Sequence, residues 1–181
     1  MGNAEEQTDG KRIDGGWIED AIGRYESMLL NYSWRLTGSY EKAQDAVQDT
    51  FVKLCRADRS AVEKHLKAWL FKVCRNRSLE LMRKERKMEA LTEVHLDKTG
   101  SDGPSPYEQA ERNESLDRIS ELIGKLPEKH REVVCLKFQN GLSYREISEI
   151  ADISVSNVGF ILHTALKRLR ADWAETSEQG A

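Results

Sequence analysis

Lys67–Lys87 reads KAWLFKVCRNRSLELMRKERK. No proline or glycine interrupts this stretch, so one long helix is its simplest reading. The first part holds Trp69 and Phe71, large flat apolar side chains. The second part is basic: Lys72, Arg75, Arg77, Arg83, Lys84, Arg86 and Lys87 stand against Glu80 and Glu85. With Lys67 the stretch carries +6, in a chain whose total is −3. Cationic groups track a phosphate backbone, and aromatic faces stack on bases lifted out of a duplex. The same letters also suit a solvated basic helix with Trp69, Leu70 and Val73 packed into a core.

Working outward, the chain has 181 residues, enough for one large or two small domains. A charged fraction of 33% beside 39% hydrophobic residues suits small helical domains with much exposed surface. Charge is segregated. Met88–Glu128 holds four basic residues against ten acids, so a basic block adjoins an acidic one and two kinds of surface are expected. The cysteines, Cys55, Cys74 and Cys135, are far apart and form no C-x-x-C pair. His65, His95, His130 and His163 are equally scattered, so no metal site and no cofactor is expected. Free thiols suit a reducing cytosol. No apolar run approaches transmembrane length, and the N-terminus is not signal-like. The expectation is a soluble cytoplasmic protein without membrane insertion.

Residues 1–16 are polar and glycine-rich and are expected to form a disordered extension. From Trp17, the residues Ile18, Ala21, Ile22, Tyr25, Met28, Leu29, Tyr32 and Leu36 fall at helical spacing, and Gly38 ends that helix. Ser39 caps the next, about Tyr40–Arg56. Its buried stripe is read as Ala43, Ala46, Val47, Thr50, Leu54 and Cys55. Asp45, Gln48, Asp49 and Val52 project elsewhere, as a solvated face or one that docks on a basic partner. Ala57–Lys64 is polar and reads as a loop or short turn. Residues 88–106 have the composition of a linker, with Gly100, Gly103, Pro104 and Pro106. The chain therefore divides into a domain at 17–87, a linker at 88–106, a domain at 107–173 and a tail at 174–181. Neither half shows strand-like alternation, so the class is all-α.

The second half opens with a helix over about Tyr107–Gly124, placing Ala110, Leu116, Ile119, Leu122 and Ile123 inward. Leu126-Pro127-Glu128 breaks the chain and restarts it. The next helix, Glu128–Gln139, is expected to bury Val133, Val134, Leu136 and Phe138, and Asn140-Gly141 ends it. Leu142–Arg170 reads LSYREISEIADISVSNVGFILHTALKRLR. Ser143 and Glu146 form a capping box for a short helix. Ser154 caps a longer one with Val158, Ile161, Leu162, Ala165, Leu169 and Trp173 on one face. Two helices with this joint are the pattern of a helix-turn-helix, or of a plain helical hairpin. Ser156, Phe160, His163 and Lys167 lie opposite the core stripe and face a groove if any residue does. Asn157 stands beside them at the start of the helix. Lys167, Arg168 and Arg170 suit phosphates and the negative end of the helix dipole.

Together these motifs resemble the extracytoplasmic-function (ECF) sigma factors of bacterial RNA polymerase. The resemblance rests on Ala43-Gln44-Asp45, on Gln48-Asp49-Thr50-Phe51-Val52-Lys53-Leu54-Cys55, and on Ala68-Trp69-Leu70 followed by Arg75-Asn76 and Arg83–Lys87. In the second half it rests on Leu126-Pro127, Leu142–Ile147 and the recognition helix. It covers roughly Trp17–Trp173. It implies sigma domain 2 at 17–87 and sigma domain 4 at 107–173. Asp45, Gln48, Asp49 and Val52 would dock on the β′ clamp helices of core polymerase. Trp69, Phe71, Lys72, Arg75, Asn76, Arg77, Arg83 and Lys84 would engage the promoter minus-10 element and help open it. Ser156, Asn157, Phe160, His163, Lys167, Arg168 and Arg170 would read the minus-35 element, with the β flap touching the same domain. An anti-sigma protein is a further partner to be expected. The chain departs from the family at Cys55, where tryptophan is usual, and at Glu80, where aspartate is common. Gly159, Ile161 and Thr164 stand where basic residues are frequent.

The alternative is a helix-turn-helix regulator that never joins polymerase. Such proteins usually dimerise, yet no heptad seam is evident and the first half would lack a purpose. An enzyme is a weaker reading, because there is no glycine-rich phosphate loop, nucleophile motif or metal cluster in the sequence.

Overall fold

The computed structural model describes residues 15–92 and 114–178, and among these every regular element is helical. The first half contains α1 (Gly15–Thr37), α2 (Tyr40–Arg56), the short α3 (Arg59–Val62) with a 3-10 turn at Glu63–His65, and α4 (Leu66–Thr92). The second contains α5 (Glu114–Gly124), α6 (Glu128–Val134) running into a π-helical turn at Cys135–Gln139, α7 (Tyr144–Ala151) and α8 (Val155–Glu178). Of the extension expected at 1–16, residues 1–14 lie outside the described residues, whereas Gly15 and Gly16 open α1; the rest of the linker, 93–106, and the expected helix start at 107–113 also lie outside. Helix α4 runs five residues into the stretch read as linker, and α8 continues past Trp173 to Glu178.

Helix α2 has the ends expected of it, with the Ser39 side chain accepting from the Lys42 N–H at 3.4 Å. Its buried stripe needs one correction. Phe51 is buried and Cys55 is exposed, because Phe51 lies one turn above Val47 whereas Cys55 falls at the edge of the stripe in the last turn. The segment read as a loop or short turn at Ala57–Lys64 holds the single turn of α3, capped by Asp58 and anchored by buried Val62. The guanidinium of Arg59 lies 5.4 Å from the ring centre of Trp17, tying α3 to α1.

Helix α4 packs on α1 and α2 through Ala68, Leu70, Phe71 and Cys74. Buried polar groups along this seam are satisfied. Ser33 and Ser78 share a 2.7 Å hydrogen bond, and Ser78 Oγ also donates to the Cys74 carbonyl at 2.8 Å. Lys42 pairs with Glu85 at the far end.

Burial pushes the Cys74 thiol up to about 11, although hydroxyls of Thr50, Ser33 and Ser78 oppose the shift. The folded thiol thus holds its proton more tightly than the unfolded one. Stability carried by this group is complete below the ordinary value of 9.0 and is lost as pH rises through about 11. Cys135 is also buried and raised, first by desolvation. A native thiol titration with a disulfide reagent should therefore find one fast cysteine, Cys55, and two that react only on opening. A second fast thiol would contradict this packing.

In the second half, Ile147, Ile150, Val158, Ile161, Leu162 and Ala165 form the helix-turn-helix core. The capping box is complete: Glu146 N–H donates to Ser143 Oγ at 3.2 Å, and Ser143 N–H donates to Glu146 Oε2 at 2.7 Å. Asp152 closes α7 in the left-handed conformation, at φ 55°. Ser154 Oγ accepts from Asn157 N–H at 3.2 Å and opens α8.

Two expected core residues are corrected. Phe138 is 58% exposed. It would stack one α-turn above buried Val134, but the π-helical turn at Cys135–Gln139 widens the spiral and moves it off that face. Asn140 secures this turn, its side-chain amide donating to the Cys135 carbonyl at 3.1 Å. Ile119 is also exposed, not inward. With Leu122, Leu166, Leu169, Arg170 and Trp173 it lines an open groove of about 270 Å³ between α5 and α8. Arg118 stacks over the Trp173 ring at 4.6 Å.

The halves are packed together. Helix α7 rests on α4, and buried side chains of both halves belong to one apolar cluster.

Candidate polymerase and promoter interfaces

Three surfaces emerge from this packing. The first is the outer face of α2. Burying Ala43, Ala46, Val47, Thr50 and Leu54 leaves Asp45, Gln48 and Val52 exposed, the last at 47%. Asp49 is half-buried at the border, where Arg77 Nε donates to its Oδ2 at 2.5 Å. Asp45, Gln48, Asp49 and Val52 succeed one another at three- and four-residue steps and so share one face.

The second surface belongs to α4. Lys72, Asn76, Arg83 and Lys84 are exposed, and Trp69 is half-buried against the core. Lys84 pairs loosely with Glu80 at 3.4 Å. Arg77 is divided between Asp49 and Glu80, the latter at 3.0 Å.

Phe71 corrects the sequence reading. It is fully buried, its ring centre 5.3 Å from that of Tyr32 in a tilted arrangement. A base cannot stack on a ring that is already enclosed, so Phe71 supports the helix from within.

Arg75 lies one turn from Phe71 and points the same way, into the seam between the halves. Its Nε donates to Glu132 Oε1 at 2.6 Å, and Nη2 approaches Oε2 at 3.4 Å. Desolvation opposes the charge on Arg75, but the hydrogen bonds and field of Glu132 outweigh it and raise the pKa further. Tyr32 Oη donates to the same Glu132 Oε1 at 2.7 Å. Burial and then the Glu132 carboxylate hold the Tyr32 hydroxyl well above its usual range, so it acts as a neutral donor. Nothing in the sequence marks this contact at Glu132, because its partners lie 57 and 100 positions away.

The third surface is the outer face of α8. Ser156, Phe160, His163, Lys167, Arg168 and Arg170 are exposed, and Asn157 is half-buried at the helix start. Phe160 is 67% exposed, a large apolar side chain presented to solvent beside polar neighbours. Arg168 lies 3.7 Å from Asp172, a loose pair that leaves it available. Ile161 is buried. Only Gly159 and Thr164, of the three family positions that lack charge, reach the surface. Space beside Gly159 is bounded by the Tyr144 ring, 3.7 Å from where a Cβ would stand.

Comparison with known proteins gives two family matches. Residues 21–88 match the Sigma-70 region 2 model, and residues 116–169 match Sigma-70, region 4. RNA polymerase sigma factor YlaC of Bacillus subtilis is 30% identical over 167 residues, covering 90% of this chain and 95% of that protein. ECF RNA polymerase sigma factor SigW of the same organism is 26% identical, covering 88% and 90%. Among solved structures, sigma factor RpoE in complex with the anti-sigma factor NepR from Bartonella quintana aligns with a TM-score of 0.64. The identity is 24%, with 84% of this chain and 94% of that one covered. CnrH in complex with the cytosolic domain of CnrY aligns at 0.59, with 22% identity and 90% of each chain covered. The helix-turn-helix is therefore not that of a separate regulator. The chain belongs to the ECF sigma factors, the subunits that bind bacterial RNA polymerase core, recognise promoter minus-10 and minus-35 elements and promote DNA opening.

Proposed function

We propose a division of that activity among the three surfaces. Asp45, Gln48, Asp49 and Val52 dock on the β′ clamp helices. Their mixture of acid, amide and exposed valine suits a basic partner helix with an apolar edge. Lys72, Asn76, Arg77, Arg83 and Lys84, with the exposed edge of Trp69, engage the minus-10 element, and Arg75 joins them once it is free of Glu132. Ser156, Asn157, Phe160 and His163 read the minus-35 element, Phe160 against thymine methyls. Lys167, Arg168 and Arg170 hold the adjoining phosphates. The groove at Ile119, Leu122, Leu166, Leu169 and Trp173 receives the β flap. An anti-sigma protein is a further partner, a reading supported by the two neighbouring structures, which are complexes of that kind. The activity is binding and not catalysis, and its place is the cytoplasm. Among the described residues no helix is long and apolar enough to cross a membrane.

The observation that carries this reading is the separation of an acidic face on α2 from cationic surfaces on α4 and α8. Asp45→Lys is the cleanest test, because Asp45 is exposed whereas Asp49 is tied to Arg77. Reversing that charge should weaken affinity for core polymerase on the order of tenfold and leave the helical circular dichroism unchanged. Unaltered affinity in a titration against core would remove the α2 face from the polymerase interface.

A further inference from the structure

A carboxylate enclosed by two partners lies between the halves and outside all three surfaces. The Glu132 side chain is 8% exposed, and its carboxylate is held from one side by the Tyr32 hydroxyl and from another by Arg75. Arg75, at 17% exposed, has its guanidinium turned away from solvent. Further charges face the same seam. Asp152 adds a favourable field at Arg75, and Lys67 does so at Glu146. The Lys67 ammonium comes to 4.0 Å from where a side chain on Gly141 would begin. Helix α7, half of the DNA-reading motif, is thereby seated on α4, the helix of the minus-10 surface.

We propose that Glu132 is a latch: it closes domain 4 onto domain 2, masks Arg75, and keeps the unbound factor in a form that cannot engage a promoter. This rests on the assignment of Arg75 to promoter DNA. The chemistry favours a switch over a fixed strut. A buried carboxylate is tolerable only while its partners remain, so partial loosening is unfavourable and the seam is either shut or open. Once open, Glu132 and Arg75 are both resolvated, and phosphate becomes an alternative anionic partner for the same guanidinium. Polymerase or DNA that binds only the open form must first draw on its minor population, which lowers apparent affinity by that fraction.

Glu132→Gln tests this in the full chain. The amide preserves side-chain volume and an acceptor for Tyr32, but removes the charge that holds Arg75. The variant should show a larger radius of gyration by small-angle scattering than the wild type. Run-off transcription at limiting factor should rise roughly 3- to 10-fold as the closed population is lost. Tyr32→Phe, which removes one donor and touches no proposed DNA contact, should move both readouts in the same direction by less. It also decides the matter if Glu132→Gln does not fold. Variants as compact as the wild type, or expanded without a gain in transcription, would overturn the latch. Failure of wild type and variants alike to support run-off transcription would instead reject the wider promoter assignment and the latch with it.

Discussion

Truncating Phe71 to alanine is expected to cost about 3–5 kcal/mol of stability. That is a large share of the roughly 5–15 kcal/mol that holds a typical domain folded. The ring is fully buried and meets Tyr32 at 5.3 Å, so its removal leaves a void and strips an aromatic contact at once. Urea unfolding of the full chain, followed by circular dichroism, should show the midpoint shift. The same series separates support from DNA contact. Phe71→Leu should retain enough volume to fold and should open promoters with a normal permanganate pattern. A Phe71→Ala chain as stable as the wild type would reject the core assignment. A folded Phe71→Leu chain that fails to open promoters would return Phe71 to the DNA surface.

Replacing Lys167, Arg168 and Arg170 together by alanine should largely remove the phosphate-holding part of the minus-35 surface. Each lost contact lowers the slope of log affinity against log salt by about 0.9, so the triple variant should lose roughly 2.7. The expectation follows from where the charge is. The front of α8 presents Gly159 and Thr164, and Ile161 is turned into the core, so cations gather at the C-terminal end. The loss should be similar for every minus-35 sequence, because phosphates carry no sequence information. Phe160→Ala should behave differently, changing which sequences are preferred and leaving the salt slope alone. Holoenzyme binding to a set of promoter fragments at several salt concentrations checks both. A triple variant with the wild-type slope would place the phosphate contacts elsewhere.

Much of this was legible in the letters because local rules carried it. Ser39 and the Ser143–Glu146 box mark helix starts by chemistry that acts within one turn, and the structure has both. The stripe of α8 follows from 3.6-residue spacing as far as Leu169, and even Ile161 falls on it, whereas Trp173 beyond it is exposed at the groove. Phe71 was harder. An aromatic beside basic residues reads the same whether it faces a base or a core, although Cys74 and Ser78 at helical spacing, both buried, mark the inward face. Phe138 was hidden because nothing in CLKFQ announces a π-turn. Arg75 read as a DNA contact because its partner lies in the other half of the chain. Glu132 stands between Arg131 and Val133 with no local mark of its partners, and only the hydrogen bonds that reach it from Tyr32 and Arg75 disclose them.

Arg77 bridges carboxylates on two different helices. Its guanidinium spans Asp49 on α2 and Glu80 on α4. On the roles proposed, a cation from polymerase and a phosphate from the promoter compete for opposite ends of the same Arg77–Asp49 contact. Whichever arrives first separates the pair, and the second then meets a group already released. The two bindings are therefore positively cooperative, and by thermodynamic reciprocity promoter DNA raises affinity for core by the same factor that core raises affinity for DNA. With a partly exposed pair contributing on the order of 0.2–1 kcal/mol, that factor is roughly 1.4- to 5-fold, and it would favour assembly of all three components over either binary complex.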